Sequence, residues 1–128
     1  HLVHGSPVSP GEHLSPLTPQ SRLYELAAPG GADLVLCGHS HQPFCRKAGN
    51  TWFVNPGSVG RQDDGDYRAS YAILDLQKGD LQVQHHRVDY DIESALAEMR
   101  KNNLPEEFIR MLQQGKNLGD VLRKETTD

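Results

Sequence analysis

Two histidines separated by one residue, in Gly38-His39-Ser40-His41, stand directly after the apolar run Leu34-Val35-Leu36. A third, His4, follows Leu2-Val3 in the same way, with Gly5 behind it. Neutral imidazole is a good ligand for divalent manganese, iron, nickel or zinc, and a His-x-His pair on a turn can give one nitrogen to each of two neighbouring ions. Two ions roughly 3.5 to 4 Å apart can clamp a phosphate and acidify a water into a nucleophile. Taken alone, a His-x-His pair is as readily an ordinary polar loop. Its place after a buried strand, the repeated order of strand, histidine and glycine at His4-Gly5, and a second turn of anion-binding character favour ligation by His4, His39 and His41.

That second turn is Asn55-Pro56-Gly57-Ser58, after the run Thr51-Trp52-Phe53-Val54. Its Gly57 and Ser58 N–H groups can converge on an anion or brace the ligand turn, and proline with glycine also suits a rigid strand exit. Arg61 and Arg68 flank an acidic turn and can meet a phosphate bidentately, although pairing with Asp63, Asp64 or Asp66 is the duller use of them. Asn55, Gly57, Ser58 and Arg68 are therefore the candidate substrate contacts. Asp33, Asp63, Asp64 and Asp66 are assigned to turns. His85 and His86 are adjacent on a strand and face opposite sides, which excludes joint ligation of one ion. His13 lies in a loop that can cover the site and is expected to face solvent. Trp52, Tyr67 and Tyr71 read as packing residues, and Phe108 and Met111 as core.

The elements that must position these residues follow from periodicity and punctuation. Residues 1–4 form a short strand that delivers His4 to a loop edge, with Leu2-Val3 reading as buried, and residues 6–19 carry prolines and serines without a period. Residues 19–28 space Leu23, Leu26 and Ala27 as a helix, stopped by Pro29-Gly30-Gly31. Residues 33–37 form a strand covered on both faces, and residues 51–54 the next one. Residues 70–76 and 81–88 alternate on either side of Lys78-Gly79-Asp80 and read as a hairpin. Asp91 caps a helix carrying Leu96 and Met99 that ends near Asn102-Asn103. Pro105 opens another, with Phe108, Met111 and Leu112 on one face, which Gly115 ends. A helical hairpin is thus expected over 89–128, with residues 124–128 frayed.

At 128 residues and 36% hydrophobic content, the chain suits one α/β domain with one core. With 13 basic residues against 17 acidic, a formal charge of −4, and no lysine or arginine run, extended nucleic acid is not an expected partner, whereas a small phosphorylated substrate is. No stretch approaches the roughly 20 apolar residues of a membrane span, and the start lacks the order of a secretory signal, so the expected location is cytoplasmic without membrane association. Cys37 and Cys45 are too few for a disulfide framework and read as reduced thiols.

Leu2-Val3-His4-Gly5-Ser6-Pro7, Leu36-Cys37-Gly38-His39-Ser40-His41-Gln42-Pro43 and Asn55-Pro56-Gly57-Ser58-Val59-Gly60 resemble the C-terminal part of the calcineurin-like metallophosphoesterases, especially the small bacterial and archaeal phosphodiesterases. The resemblance continues through Asp64-Gly65-Asp66, Arg68-Ala69-Ser70-Tyr71, Val88-Asp89-Tyr90-Asp91 and Asn103-Leu104-Pro105-Glu106. It implies part of a four-layer αββα sandwich and a two-metal phosphodiesterase or phosphatase site. His4 and His39 would share one ion and His41 would bind the other. It also implies an aspartate-x-histidine pair, a bridging aspartate and an asparagine-histidine general acid from an N-terminal half. These motifs are not matched here, so no catalytic acid is assigned, and the isolated chain is expected to be inactive unless the other half is provided.

Two alternatives stand beside the hydrolase. The same scaffold without its acidic ligands can serve as a non-catalytic binding or regulatory module. Cys37, Cys45, His39 and His41 can also be grouped as a structural zinc site. The metal identity, physiological substrate and oligomeric state are not fixed by these residues.

Overall fold

The structure is a computed structural model, and it describes residues 1–28 and 31–123. Residues 1–4 run parallel to β1 (Leu34–Leu36). Val3 N–H donates to Leu36 O at 2.9 Å, Leu36 N–H to His1 O at 2.9 Å and Gly38 N–H to His4 O at 2.8 Å. β1 pairs in parallel with β3 (Thr51–Asn55), and β3 pairs antiparallel with β2 (Phe44–Ala48), giving the order β1-β3-β2. Because residues 1–4, β1 and β3 are parallel, their C-terminal ends share one edge. The three loops that leave that edge carry His4, then His39 and His41, then Asn55, Gly57 and Ser58, a placement common for ligand sites in parallel sheets.

One face of this sheet holds the main core. α1 (Gln20–Ala27) buries Leu23 and Leu26 against Val35, Cys37, Phe44 and Phe53, and Leu14 from the preceding loop is fully enclosed with them. The other face meets a second sheet, β4 (Ala69–Gln77) and β5 (Asp80–Val88), whose ladder runs unbroken from Ala69↔Val88 to Gln77↔Asp80. Leu36 and Val54 from the first sheet and Ala72 and Leu74 from the second line a shared cavity of about 330 Å3. α1 and the two sheets thus form successive layers of the expected α/β sandwich. α2 (Ile92–Lys101), α3 (Glu106–Gln114) and α4 (Leu118–Arg123) follow.

Several local expectations change. β2 was not expected as a strand, yet its link to β3 is the two-residue loop Gly49-Asn50 with Gly49 at φ +59°, a hairpin turn with glycine first. Leu2 is 80% exposed rather than buried, because residues 1–4 have β1 on one side only. Leu34 and Leu36 flank a buried Val35 but are half-buried themselves, so β1 is fully covered on one face alone. The C-terminal hairpin of α2 and α3 is followed by a third helix, α4, which begins just after Asn117, whose side chain accepts from Asp120 N–H at 3.0 Å. Phe108 is 44% exposed, and Ile109 with Met111 fills the core in its place. Tyr71 is also exposed, stacked on His86 at 4.9 Å. The Asp91 cap forms as expected, accepting from Ser94 N–H at 3.0 Å, and Gly115 ends α3 at φ +61°. Pro29-Gly30 and residues 124–128 lie outside the described residues.

Candidate metal and phosphate site

The ligand turn is built by backbone that resists its own conformation. His39 has φ +61° and His41 φ +57°, both in the left-handed region that a β-carbon disfavours by roughly 1–2 kcal/mol per residue. Two such residues around Ser40 persist because the surroundings over-determine them. Ser40 is buried, its N–H donates to Gly38 O at 2.7 Å, and its hydroxyl accepts from Asn55 Nδ2 at 3.0 Å. Asn55 Nδ2 also donates to Gly38 O at 2.8 Å, and Asn55 Oδ1 accepts from Gly57 N–H at 2.9 Å. The Asn55 side chain is fully enclosed, so it acts as a clamp between the two loops, and Gly57 N–H is committed to that clamp. Ser58 Oγ caps its own turn, accepting from Gly60 N–H and Arg61 N–H at 3.3 and 3.0 Å.

The Gly38 N–H bond to His4 O, at 2.8 Å, sets His4 beside the His39 turn. His4 Nε2 lies 2.9 Å from His39 Nδ1, and their ring centroids are 4.6 Å apart. Two nitrogens each about 2.0–2.1 Å from one ion, at right to tetrahedral angles, are themselves roughly 2.9–3.4 Å apart. The contact is a hydrogen bond between the two rings, and its length also matches that of neighbouring ligands on a single ion. His41 stands apart from that pair, with Nδ1 at 3.0 Å from Arg61 Nη2. Burial pulls the His39 pKa down, helped by the nearby His13 and His4 and opposed by a hydrogen bond with the Gly11 backbone. Burial, with the Arg61 cation, does the same at His41, while Asp63 opposes it. Both shifts favour the neutral imidazole that binds a metal.

The donor set is incomplete as a charge match. Among the described residues, no group of three or more His, Cys, Asp and Glu side chains is gathered to hold a metal. Imidazoles alone leave two dications uncompensated, which calls for carboxylates beyond those gathered here. The thiol site fails outright. Cys37 is buried in the core, with burial pushing its pKa up to about 12, and its Sγ–H meets Val54 O at 3.6 Å. Cys45 pairs across β3 from the opposite side of Val54. Two strand spacings, about 10 Å in all, separate the cysteines, which leaves both as free thiols.

Two residues at the site carried weaker sequence signals. His13 is exposed, as expected, but its ring lies 3.9 Å from that of His39. The neighbouring Leu14, fully buried, and Glu12, paired with Arg22 at 2.7 Å, pin the loop that carries it. Arg61, not Arg68, reaches His41. Arg68 is held by Asp66 through its Nε at 2.9 Å and Nη2 at 2.6 Å. Arg61 also pairs with Asp63 at 3.2 Å, and Asp63 Oδ1 is buried without a hydrogen-bond partner among the described residues. Gln62 staples this loop, its Nε2 donating to Ser58 O and, at 2.6 Å, to Arg68 O.

The calcineurin-like phosphoesterase superfamily domain matches residues 1–79, a span that contains His4, His13, His39, His41 and the loop from Asn55 to Arg68. An uncharacterized protein of Methanocaldococcus jannaschii is 39% identical over 89 residues, which cover 58% of this chain and 36% of that protein. The crystal structure of a metallophosphoesterase from Sphaerobacter thermophilus superposes with TM-score 0.76 at 29% identity, over 89% of this chain and 55% of that one. A hypothetical protein from Pyrococcus horikoshii superposes with TM-score 0.79 at 28% identity, over 91% of this chain and 46% of that one. The chain thus spans about a third of the curated relative and about half of these two structures. Motifs, sheet order and these likenesses agree, and the chain belongs to the calcineurin-like phosphoesterase superfamily.

Proposed function

We propose that this chain carries the histidine-rich half of a two-metal site that hydrolyses phosphate esters, with His4 and His39 on one divalent ion and His41 on the other. The observation that carries the reading is the 2.9 Å approach of His4 Nε2 to His39 Nδ1 at the shared edge of two parallel strands. Bound manganese, iron, nickel or zinc would supply Lewis acidity to the phosphoryl oxygens and a water acidic enough to attack phosphorus. The chain's own residues supply position. Asn55 locks the ligand turn, Gly57 closes the second loop, and Arg61 presents a cation beside His41 for an ester oxygen. Arg68 and Ser58 shape the rim of that loop, and release of Arg68 from Asp66 would make it a further phosphate contact. The substrate class is a small phosphodiester or phosphomonoester. In the full-length protein with manganese, His39→Ala and His41→Ala are each expected to lower hydrolysis of bis(p-nitrophenyl) phosphate by roughly 100-fold or more. Unchanged turnover in either variant contradicts the assignment.

A further inference from the structure

Beside Arg61 the surface turns from polar to apolar. Met99 of α2 and Phe108, Met111 and Leu112 of α3 face the Gly60-Arg61 turn across a cavity of about 430 Å3. That size falls within the roughly 300–1,000 Å3 of small-molecule sites. Its position is fixed from below, because α3 is seated on the acidic turn. Gly65 N–H donates to Gly115 O at 2.8 Å, and a β-carbon at Gly115 would come within 2.8 Å of the Asp66 backbone. The polar wall of the cavity is the same Arg61 whose Nη2 reaches His41 Nδ1 at 3.0 Å. The apolar cavity and the ligand turn are thus joined through one guanidinium.

Resting on the phosphoesterase reading above, we infer that α2 and α3 form the subsite for an aromatic group of the ester, packed among Met99, Phe108, Met111 and Leu112 while its phosphate lies against Arg61 and His41. The lining chemistry selects a planar ring. Thioether sulfurs make favourable contacts with aromatic rings, and Phe108 offers a face or edge to a second ring. The six lining residues fit a small group, whereas a stable protein interface uses about 20–30 residues a side.

Calorimetry on the metal-loaded full-length protein with phenylphosphonate and methylphosphonate separates the two parts of the site. Phenylphosphonate is expected to bind about tenfold more tightly, the gain from burying one ring. Phe108→Ala removes a wall, and Gly60→Leu fills the mouth. A β-carbon at Gly60 meets no atom within 4 Å and its φ is outside the left-handed region, so the backbone accepts Gly60→Leu and this variant keeps the test if Phe108→Ala does not fold. Both variants are expected to bring the ratio of the two affinities to about one. Equal binding of the two phosphonates by the wild type, or an unaltered ratio in Gly60→Leu, overturns the subsite and leaves the metal site standing. Binding of neither overturns both. A concentration-dependent dimer that Phe108→Ala dissociates assigns the cavity to a second copy instead and overturns the small-ligand proposal.

Discussion

His39 and His41 hold left-handed backbone that glycine would adopt without cost, and both sit on the turn that leaves the shared edge of the parallel strands. Strain of this kind at a chemical side chain is expected where the side chain's placement matters more than stability. His39→Gly should therefore be about 1 kcal/mol more stable than His39→Ala, since only the alanine retains a β-carbon at φ +61°. Urea unfolding of the two variants measures the difference, and both should lose metal. A more stable alanine variant would remove the claim of strain. Asn55→Ala is the complementary change. It leaves the Ser40 hydroxyl and Gly57 N–H without their Asn55 partner, and Gly38 O with Ser40 N–H alone, at about 1–3 kcal/mol for each group left unpaired that water does not reach. Spacing and residue type made His4, His39 and His41 legible in the sequence as candidates. The clamp function of Asn55 was not, because which way a buried amide points depends on the strand beside it.

At the scale of elements, close backbone approach sets which glycines are replaceable. A β-carbon at Gly5 would lie 2.5–2.7 Å from the Ser9, Pro10 and Glu12 carbonyl oxygens, and one at Gly57 2.8 Å from the Ser70 side chain at φ +86°. Gly5→Ala and Gly57→Ala are expected to lower the unfolding midpoint, the first more because backbone cannot swing aside, while Gly11→Ala, in open space, should match the wild type. Equal midpoints for all three would refute the packing of the residue 6–13 loop. The acidic turn makes a pH prediction. The Arg68 guanidinium, hydrogen-bonded to Asp66, holds that carboxyl down to about 2 from 3.8, against the opposing effect of burial. A folded pKa below the unfolded one means stability that is fully present above about pH 4 and lost as pH falls from 4 towards 2. The wild type's advantage over Asp66→Asn in urea should follow that window and stay level at higher pH. The long hairpin, the Asp91 cap and α3 were readable from alternation, cap and glycine signals. β2 was missed because Cys45-Arg46-Lys47 lacks apolar alternation. It is a strand through its pairing with β3 and through the Gly49-Asn50 turn, which a search for two-residue hairpin loops would have found.

For the whole molecule, the edge where residues 1–4, β1 and β3 end is what converts scattered motifs into a site. The layered sandwich was implied by the family resemblance, but the order of the parallel strands was not legible, since short apolar runs do not announce their neighbours. The helical region after residue 88 was legible as helix but not as a wall of the site, because that role depends on Gly115 meeting the Asp66 turn across about fifty residues. Three loops at this edge carry the histidines and the Asn55 clamp, and no group of three or more His, Cys, Asp and Glu side chains is gathered among the described residues, so the proposed two-metal site requires carboxylates from elsewhere in the full-length protein. The most direct test is the metal content of the full-length protein and of its His39→Ala, His41→Ala and His86→Ala variants after dialysis against manganese or zinc. His86 stacks on Tyr71 in the second sheet and serves as the control. The account predicts two ions per chain in the wild type and in His86→Ala, with at least one lost in each of the other two variants. Two ions retained by His39→Ala and by His41→Ala would contradict it.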